Sequence, residues 1–429
     1  MARNYNAELA SIACQLAWDG GRAQPTLLVG VPGVGKTQFI DGLAAEMENI
    51  LRSRELLAEN ESFEYVTYTI PQLGPDSLEG MGVPNDAKTV LNYLPREGLK
   101  VVNDAKYGLV FGDELSSGSA ETGASFMAFA QDGRAGDLKV HDRIARFFAM
   151  NPATCAAAGR DLSPPESNRF LFLENWHVPV EDFVDWLRGG RGMLGHIRVL
   201  PQGWEAEYGP RTRNLLASFI ETHAHLMNQL DDVNYVSQAQ TDSSGSINVR
   251  DANGPWASQR SLTNGFRLIA ACMSLGEEIN SRLCQLALQG TVGEAVASEF
   301  FTWVVNSEIP DPEVLLKLDP KDAIDLLPKR SDKRKLALEQ VAGAAVRKSG
   351  FKDIDPDDKD AVLAMSRKRW EAGWAIVGPV LQERRDDAYS AGRILNTSMP
   401  PMPKGYEFPD FAVLMFDIAK DAGISNIVR

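Results

Sequence analysis

Gly30-Val31-Pro32-Gly33-Val34-Gly35-Lys36-Thr37, followed by Gln38, is the stretch that decides the fold. A phosphate group needs many donors close by and no side chain in the way. Glycines at 30, 33 and 35 let the backbone curl so that its N–H groups converge on an anion. Lys36 is long enough to reach the β and γ phosphates of a nucleotide, and the Thr37 hydroxyl suits magnesium. The context matters as much as the pattern. Thr26-Leu27-Leu28-Val29 just upstream reads as a short buried strand. Downstream, a helix is predicted from Lys36 to about Arg52, and it adds its N-terminal dipole to the loop.

Working outward, Tyr5–Trp18 spaces Leu9, Ile12 and Leu16 as one helix face. Phe63–Ile70 alternates and is β-branched, so it reads as a second strand. Residues 71–100 carry Pro71, Pro75, Pro84, Pro95 and several glycines. That length predicts an inserted hairpin or loop. Tyr107–Gly112 reads as a third strand, with a helix to about Ala130 after it. Gln131–Asp142 predicts a hairpin turning at Gly133–Gly136, Ile144–Met150 a fourth strand and Phe170–Leu173 a fifth. Strands alternating with helices give an α/β fold: a parallel sheet with helices on both faces and a phosphate loop after its first strand. From about Val180 the pattern turns helical. Three parts are expected: a nucleotide-binding domain over 1–185, a helical lid over 186–308, and a mostly helical extension over 309–429. A flexible loop is expected at 238–254, and a proline-rich hinge at 310–335.

The third strand ends in Asp113-Glu114 and the fourth in Asn151-Pro152. In a parallel sheet both endings face the edge that holds the phosphate loop. Asp113 is placed to hold magnesium through water, and Glu114 to orient the attacking water. Asn151 is placed to contact the γ phosphate or that water. Acids beside a helix N-terminus also satisfy the macrodipole, which is the simpler alternative for this pair.

The bulk numbers narrow the function. The net charge of −14 over 429 residues argues against a general binder of nucleic-acid backbones. Cys14, Cys155, Cys272 and Cys284 show no metal-type spacing. They read as free thiols of a reducing compartment. His223 and His225 read as surface residues, the basic run Lys329–Lys335 as a solvated helix start, and Trp176, Trp186, Trp204 and Trp256 as packing residues. No apolar run approaches the ~20 residues that span a membrane, and no signal-type N-terminus is evident. A cytoplasmic protein is expected.

In this order, these residues resemble AAA+ ATPases, in particular the MoxR-like group. The resemblance covers about residues 20 to 300. It is carried by the phosphate loop, by Leu109–Leu115, by Asp76–Gly80 with Tyr93-Leu94-Pro95, by Asp132–Asp137, and by Asn168-Arg169-Phe170 where the family usually has Asp-Arg-Phe. It implies ATP and magnesium as cofactors and Asn151 as a sensor residue. Arg169 would be an arginine finger for the neighbouring subunit's nucleotide, with Arg160 as its rival. Arg260, beside Gln259 where proline is common, would be the lid's sensor arginine, with Arg211 as its rival. A finger acting in trans implies a homo-oligomer, usually a hexamer. The group often works beside a partner with a von Willebrand factor A domain. The expected function is a ring-shaped chaperone or remodelling motor for a partner protein. A nucleic-acid motor or loader is the alternative, and a non-hydrolysing switch is a third.

Overall fold

A computed structural model describes residues 3–18, 21–74, 78–152, 155, 162–227, 254–306, 310, 312–347, 358–403, 405–413 and 415. Asp76, Ser77, Arg160, most of the 238–254 loop and residues 307–309 and 311 of the hinge lie outside these. The described chain divides into two compact units. One comprises 1–204 with 223–299, the other 205–222 with 300–429. The cut differs from the sequence-based boundaries, because the segment Glu205–Thr222 groups with the C-terminal helices.

The first unit opens with α1 (Tyr5–Gln15), capped by the Asn4 side chain, then β1 (Thr26–Val29) and α2 (Lys36–Ser53). There follow β2 (Phe63–Thr69), the hairpin β3 (Met81–Pro84) and β4 (Leu91–Leu94), α3 (Glu97–Asp104) and β5 (Tyr107–Asp113). Next come α4 (Ala120–Asp132), the hairpin β6 (Arg134–Ala135) and β7 (Leu138–Lys139), β8 (Ile144–Met150), α5 (Pro164–Ser167) and β9 (Leu171–Leu173). The sheet has the order β2-β5-β8-β1-β9, and every pairing in it is parallel. The fold is therefore the α/β P-loop architecture, with the phosphate loop on an inner strand.

The insert at 71–100 is the β3–β4 hairpin followed by α3. It is tied to the second hairpin where the Tyr93 N–H donates to the Asp137 carboxylate at 3.0 Å. The helix expected directly after Glu114 does not start there. A single 3-10 turn, Leu115–Ser117, intervenes, and α4 begins only at Ala120, capped by Ser119. Glu114 itself takes a left-handed backbone with φ of 58°. The acidic pair therefore precedes a short 3-10 turn, with Glu114 as its N-cap, and not the N-terminus of α4.

The core beneath the sheet is a chain of edge-on aromatic contacts running Tyr68, Phe126, Phe148, Phe170, Phe172. Each such pair adds roughly 0.5–1.5 kcal/mol beyond its burial. Arg146 is buried on the same face of β8 as Phe148 and donates to the Phe129 and Gln131 carbonyls at 3.3 and 3.5 Å. Burial pulls its guanidinium down to about 10. After β9 come α6 (Val180–Leu187), α7 (Trp204–Thr222), α8 (Gln259–Ser274), α9 (Arg282–Val292) and α10 (Glu294–Asn306). α8 and α9 pack on each other and on α1, and α9 lies on β9. Trp176 and Trp204 are buried as expected, but Trp186 is half exposed and stacks on Phe183. Cys14, Cys272 and Cys284 are buried and Cys155 is exposed. No described helix is long and apolar enough to cross a membrane.

The second unit takes in α7 from residue 205 and the end of α10 from residue 300, and adds α11 (Pro312–Leu315), α12 (Pro320–Asp325), α13 (Ser331–Ala345), α14 (Lys359–Glu383) and α15 (Arg385–Thr397). Leu315, Ala323, Leu338, Trp370, Trp374 and Leu395 share one core. The described part of the proline-rich 310–335 stretch is therefore built into a core rather than spanning free as a hinge. The basic run is likewise absorbed. Arg334 is buried against Asp387 at 2.6 Å, and Lys335 meets Glu221 at 2.7 Å.

Candidate nucleotide site and a separate arginine pocket

The phosphate loop leaves β1 at the C-terminal edge of the sheet. Gly30 has no room for a side chain, because an added Cβ would lie 2.5 Å from the Trp176 carbonyl oxygen. Gly33 and Gly35 take φ values of 79° and 77°, which other residues adopt only under strain. Gly35 then starts α2. Val31, Pro32 and Gly33 are exposed, Val34 and Gly35 half-buried, and Thr37 and Gln38 face solvent at the first turn of the helix.

Lys36 points back under the loop. Its Nζ donates to the Gly30 and Val31 carbonyls at 2.6 and 3.1 Å, and to Asn151 Oδ1 at 2.9 Å. Burial lowers the Lys36 amine below its usual 10.5, and the charges of Asp113 and Glu114 partly oppose that. The Thr37 hydroxyl donates to Asp113 Oδ2 at 2.7 Å, and the Glu114 N–H donates to Asp113 Oδ1 at 2.8 Å. The left-handed backbone at Glu114 turns the chain sharply after β5 and leaves its side chain exposed. Such a conformation costs roughly 1–3 kcal/mol and persists where the surroundings hold it, as at functional sites. Three adjacent strands thus supply one cluster: the loop after β1, Asn151 after β8, and Asp113-Glu114 at the end of β5.

Arg169 and Arg260 are not part of this cluster. Thr26 pairs with Leu171 in the β1–β9 register, which puts Arg169 at the N-terminal edge of the sheet. Gly30 lies six residue levels further along, about 20 Å at ~3.3 Å per residue. No arginine side chain spans that. Arg169 shares an open pocket of about 570 Å³ with Asn168, Trp256, Ser258, Gln259 and Arg260. Its guanidinium donates to the Pro165 carbonyl, while its buried Nε has no partner among the described residues. Burial lowers the Arg260 guanidinium below its usual value, and the charge of Arg169 lowers it further. Neither arginine forms an ion pair with a carboxylate among the described residues, although the charge of Asp132, itself 3.3 Å from Arg22, partly opposes the effect of Arg169 on Arg260. Arg211 lies in the other compact unit.

Sequence reasoning missed Asn168, Trp256 and Ser258 as parts of this pocket. A sequence signal existed only for Asn168, as a departure from the Asp-Arg-Phe pattern. His223 and His225 have ring centroids 6.3 Å apart, and no metal-type cluster occurs among the described residues.

No protein-family model matches the chain, and no curated protein matches it. Among solved structures, it is similar to a full-length MCM homolog from Methanopyrus kandleri, with 16% identity and a TM-score of 0.29. That match covers 70% of this chain and 54% of the other, so the chain spans about half the length of that protein. It is also similar to the Aeropyrum pernix ORC1 protein in complex with DNA, with 12% identity over 85% and 83% of the two chains and a TM-score of 0.23. A third is Drosophila ORC bound to DNA, with 11% identity over 89% and 84% and a TM-score of 0.23. At these TM-scores the likeness assigns neither family nor activity.

Proposed function

We propose that this chain is an ATP-hydrolysing P-loop motor of the AAA+ type, MoxR-like in its insert, and that its active site is completed by a second copy. One observation carries the reading. At the C-terminal sheet edge, Lys36 is held by Asn151 at 2.9 Å and Thr37 by Asp113 at 2.7 Å, beside a loop whose glycines leave room for phosphate. The donor set fits the cofactors. Lys36 is a buried cation held mostly by carbonyl oxygens, which phosphate oxygens would replace. Thr37 and Asp113 offer the hard oxygens that magnesium takes. Magnesium bound there supplies charge neutralisation on the phosphates. Glu114, exposed beside Asp113, orients the attacking water, and Asn151 fixes Lys36 and the terminal phosphate.

The position of Arg169 supports the trans reading. Its own phosphate loop lies about 20 Å away along the strands, so a phosphate that it stabilises belongs to another copy. Head-to-tail contacts of that kind generate rings where the rotation closes and helical filaments where it does not. A hexamer, a client protein and a partner with a von Willebrand factor A domain follow from the resemblance alone. So do the lid role of 186–308, the separate extension of 309–429 and a cytoplasmic setting. The net charge of −14 and the internal pairing of Arg334 and Lys335 favour a protein client over nucleic acid.

Phosphate release from magnesium and ATP, measured for the wild type beside Glu114→Gln, tests the reading. The wild type is expected to turn over and the variant to bind ATP without turnover. A wild type that binds no nucleotide at millimolar ATP would sink it. Stimulation by DNA at physiological salt, with no protein client recovered by Glu114→Gln, would shift the assignment to a nucleic-acid motor.

A further inference from the structure

We infer that Asn168 is a positioning residue that locks Arg169 and Arg260 into one anion-binding pair, a role an aspartate in its place would not fill. The inference rests on the trans reading above and deepens it.

Asn168 is only 5% exposed, and both ends of its amide are used. Nδ2 donates to the Trp256 carbonyl at 2.9 Å, and Oδ1 accepts from the Ser258 hydroxyl at 2.8 Å. A third bond runs from Trp256 Nε1 to the Pro164 carbonyl at 2.8 Å. The two segments are 88 residues apart in sequence yet joined by three hydrogen bonds. Ser258 is also the N-cap of α8, exchanging bonds with Ser261. Arg169 follows Asn168 directly, and Arg260 lies two residues beyond Ser258. Holding Asn168 on Ser258 therefore ties together the two segments that carry Arg169 and Arg260, both of which line the pocket.

The chemistry demands an amide. It donates and accepts at once, whereas a carboxylate only accepts. Aspartate at this place would set its oxygen against the Trp256 carbonyl oxygen, two acceptors in contact. It would also bury an anion beside two cations, which would then pair with it instead of with an incoming phosphate. The Arg169 charge works against that of Arg260, and the Asp132 charge offsets this only in part, so the clamp joins two segments whose arginines oppose each other. The anion that repays the repulsion is the terminal phosphate of a nucleotide bound by another copy.

Subunit mixing tests this. Copies with Lys36→Ala keep the arginine pair but lack a working phosphate loop. Copies with Arg169→Ala keep the loop but lack the finger. Hydrolysis in their mixture reads the arginine pair of the first acting on the loop of the second. Adding Asn168→Asp to the Lys36→Ala copies is expected to cut the recovered rate about 100-fold, the penalty of misplacing a catalytic group by an ångström. Ser258→Ala in the same copies removes one of the two amide bonds and should cost less. The same Asn168→Asp placed on the Arg169→Ala copies, whose arginine pair is already broken, should cost nothing further. A recovered rate within twofold whichever residue occupies 168 overturns the inference, as does an equal fall whichever copy carries the change, since that marks a purely structural role. A parent mixture that recovers no hydrolysis while both copies assemble overturns the trans reading, and this inference with it.

Discussion

The two edges of the parallel sheet are built on opposite plans. At the C-terminal edge Lys36 and Asp113 both have partners. Lys36 sits on two carbonyls and Asn151, and Asp113 accepts from Thr37 and Glu114. At the N-terminal edge Arg169 and Arg260 share a pocket, and among the described residues neither forms an ion pair, although the Asp132 charge acts on Arg260. A buried or crowded cation without a counter-charge is costly unless an anion arrives. The first edge is thus a seat that is organised before its ligand, and the second is a cationic surface that is incomplete alone. On the proposed trans reading, the difference means that one chain would carry two halves of different sites.

The largest expected effect separates the edges most sharply. Arg169→Ala should lower ATP turnover about a thousandfold, the low end for an arginine finger, while leaving nucleotide affinity within twofold. Steady-state kinetics beside a fluorescent-nucleotide titration reads both, and a parallel loss of affinity would break the comparison. Lys36→Ala should lose affinity as well as turnover. It removes a charge-assisted contact worth about 1.5–3 kcal/mol, so affinity should fall roughly ten- to a hundredfold in the same titration. Unchanged affinity would remove Lys36 from the phosphate seat.

Gly30→Ala should cost about 1–3 kcal/mol of stability, the usual range for overpacking, because its Cβ would meet the Trp176 carbonyl oxygen at 2.5 Å. Denaturant melts read this, and a neutral result would mean that the loop has slack. The smallest effect is one of pH. Burial holds the Lys36 amine below 10.5, so over the alkaline window beneath that value the unfolded chain binds more protons than the folded one. Stability contributed at this position therefore rises with pH through that window. Lys36→Met should lack that rise, so the wild type should gain on the variant as pH increases. Thermal melts across the window that stay parallel would contradict the burial of the amine.

Much of this was legible in the sequence because it is local. The phosphate loop, Asp113-Glu114 and Asn151 are each a strand ending followed by a polar residue, and a parallel sheet carries all such endings to one edge. The five strands follow for the same reason, as short apolar runs between helical spacings. What was not legible depends on distant contacts. The break between Glu114 and α4 is a backbone conformation that residue types alone do not dictate. The packing of Leu315 and Ala323 into the C-terminal core sits within a run of prolines and charges that looks like a linker. The Asn168–Ser258 bond joins segments 90 residues apart, and no periodicity signals it. Asn168 could be flagged only as an unusual residue, and its partners gave that departure a physical reason.

The central claim is that the two edges meet across copies of the chain. An equal mixture of Lys36→Ala and Arg169→Ala copies tests it most directly, with ATP hydrolysis measured alongside the state of assembly. Neither variant should hydrolyse alone, and the mixture should recover turnover, because one copy supplies the loop and the other the arginine. A mixture that co-assembles yet stays as inactive as its parts would contradict the account.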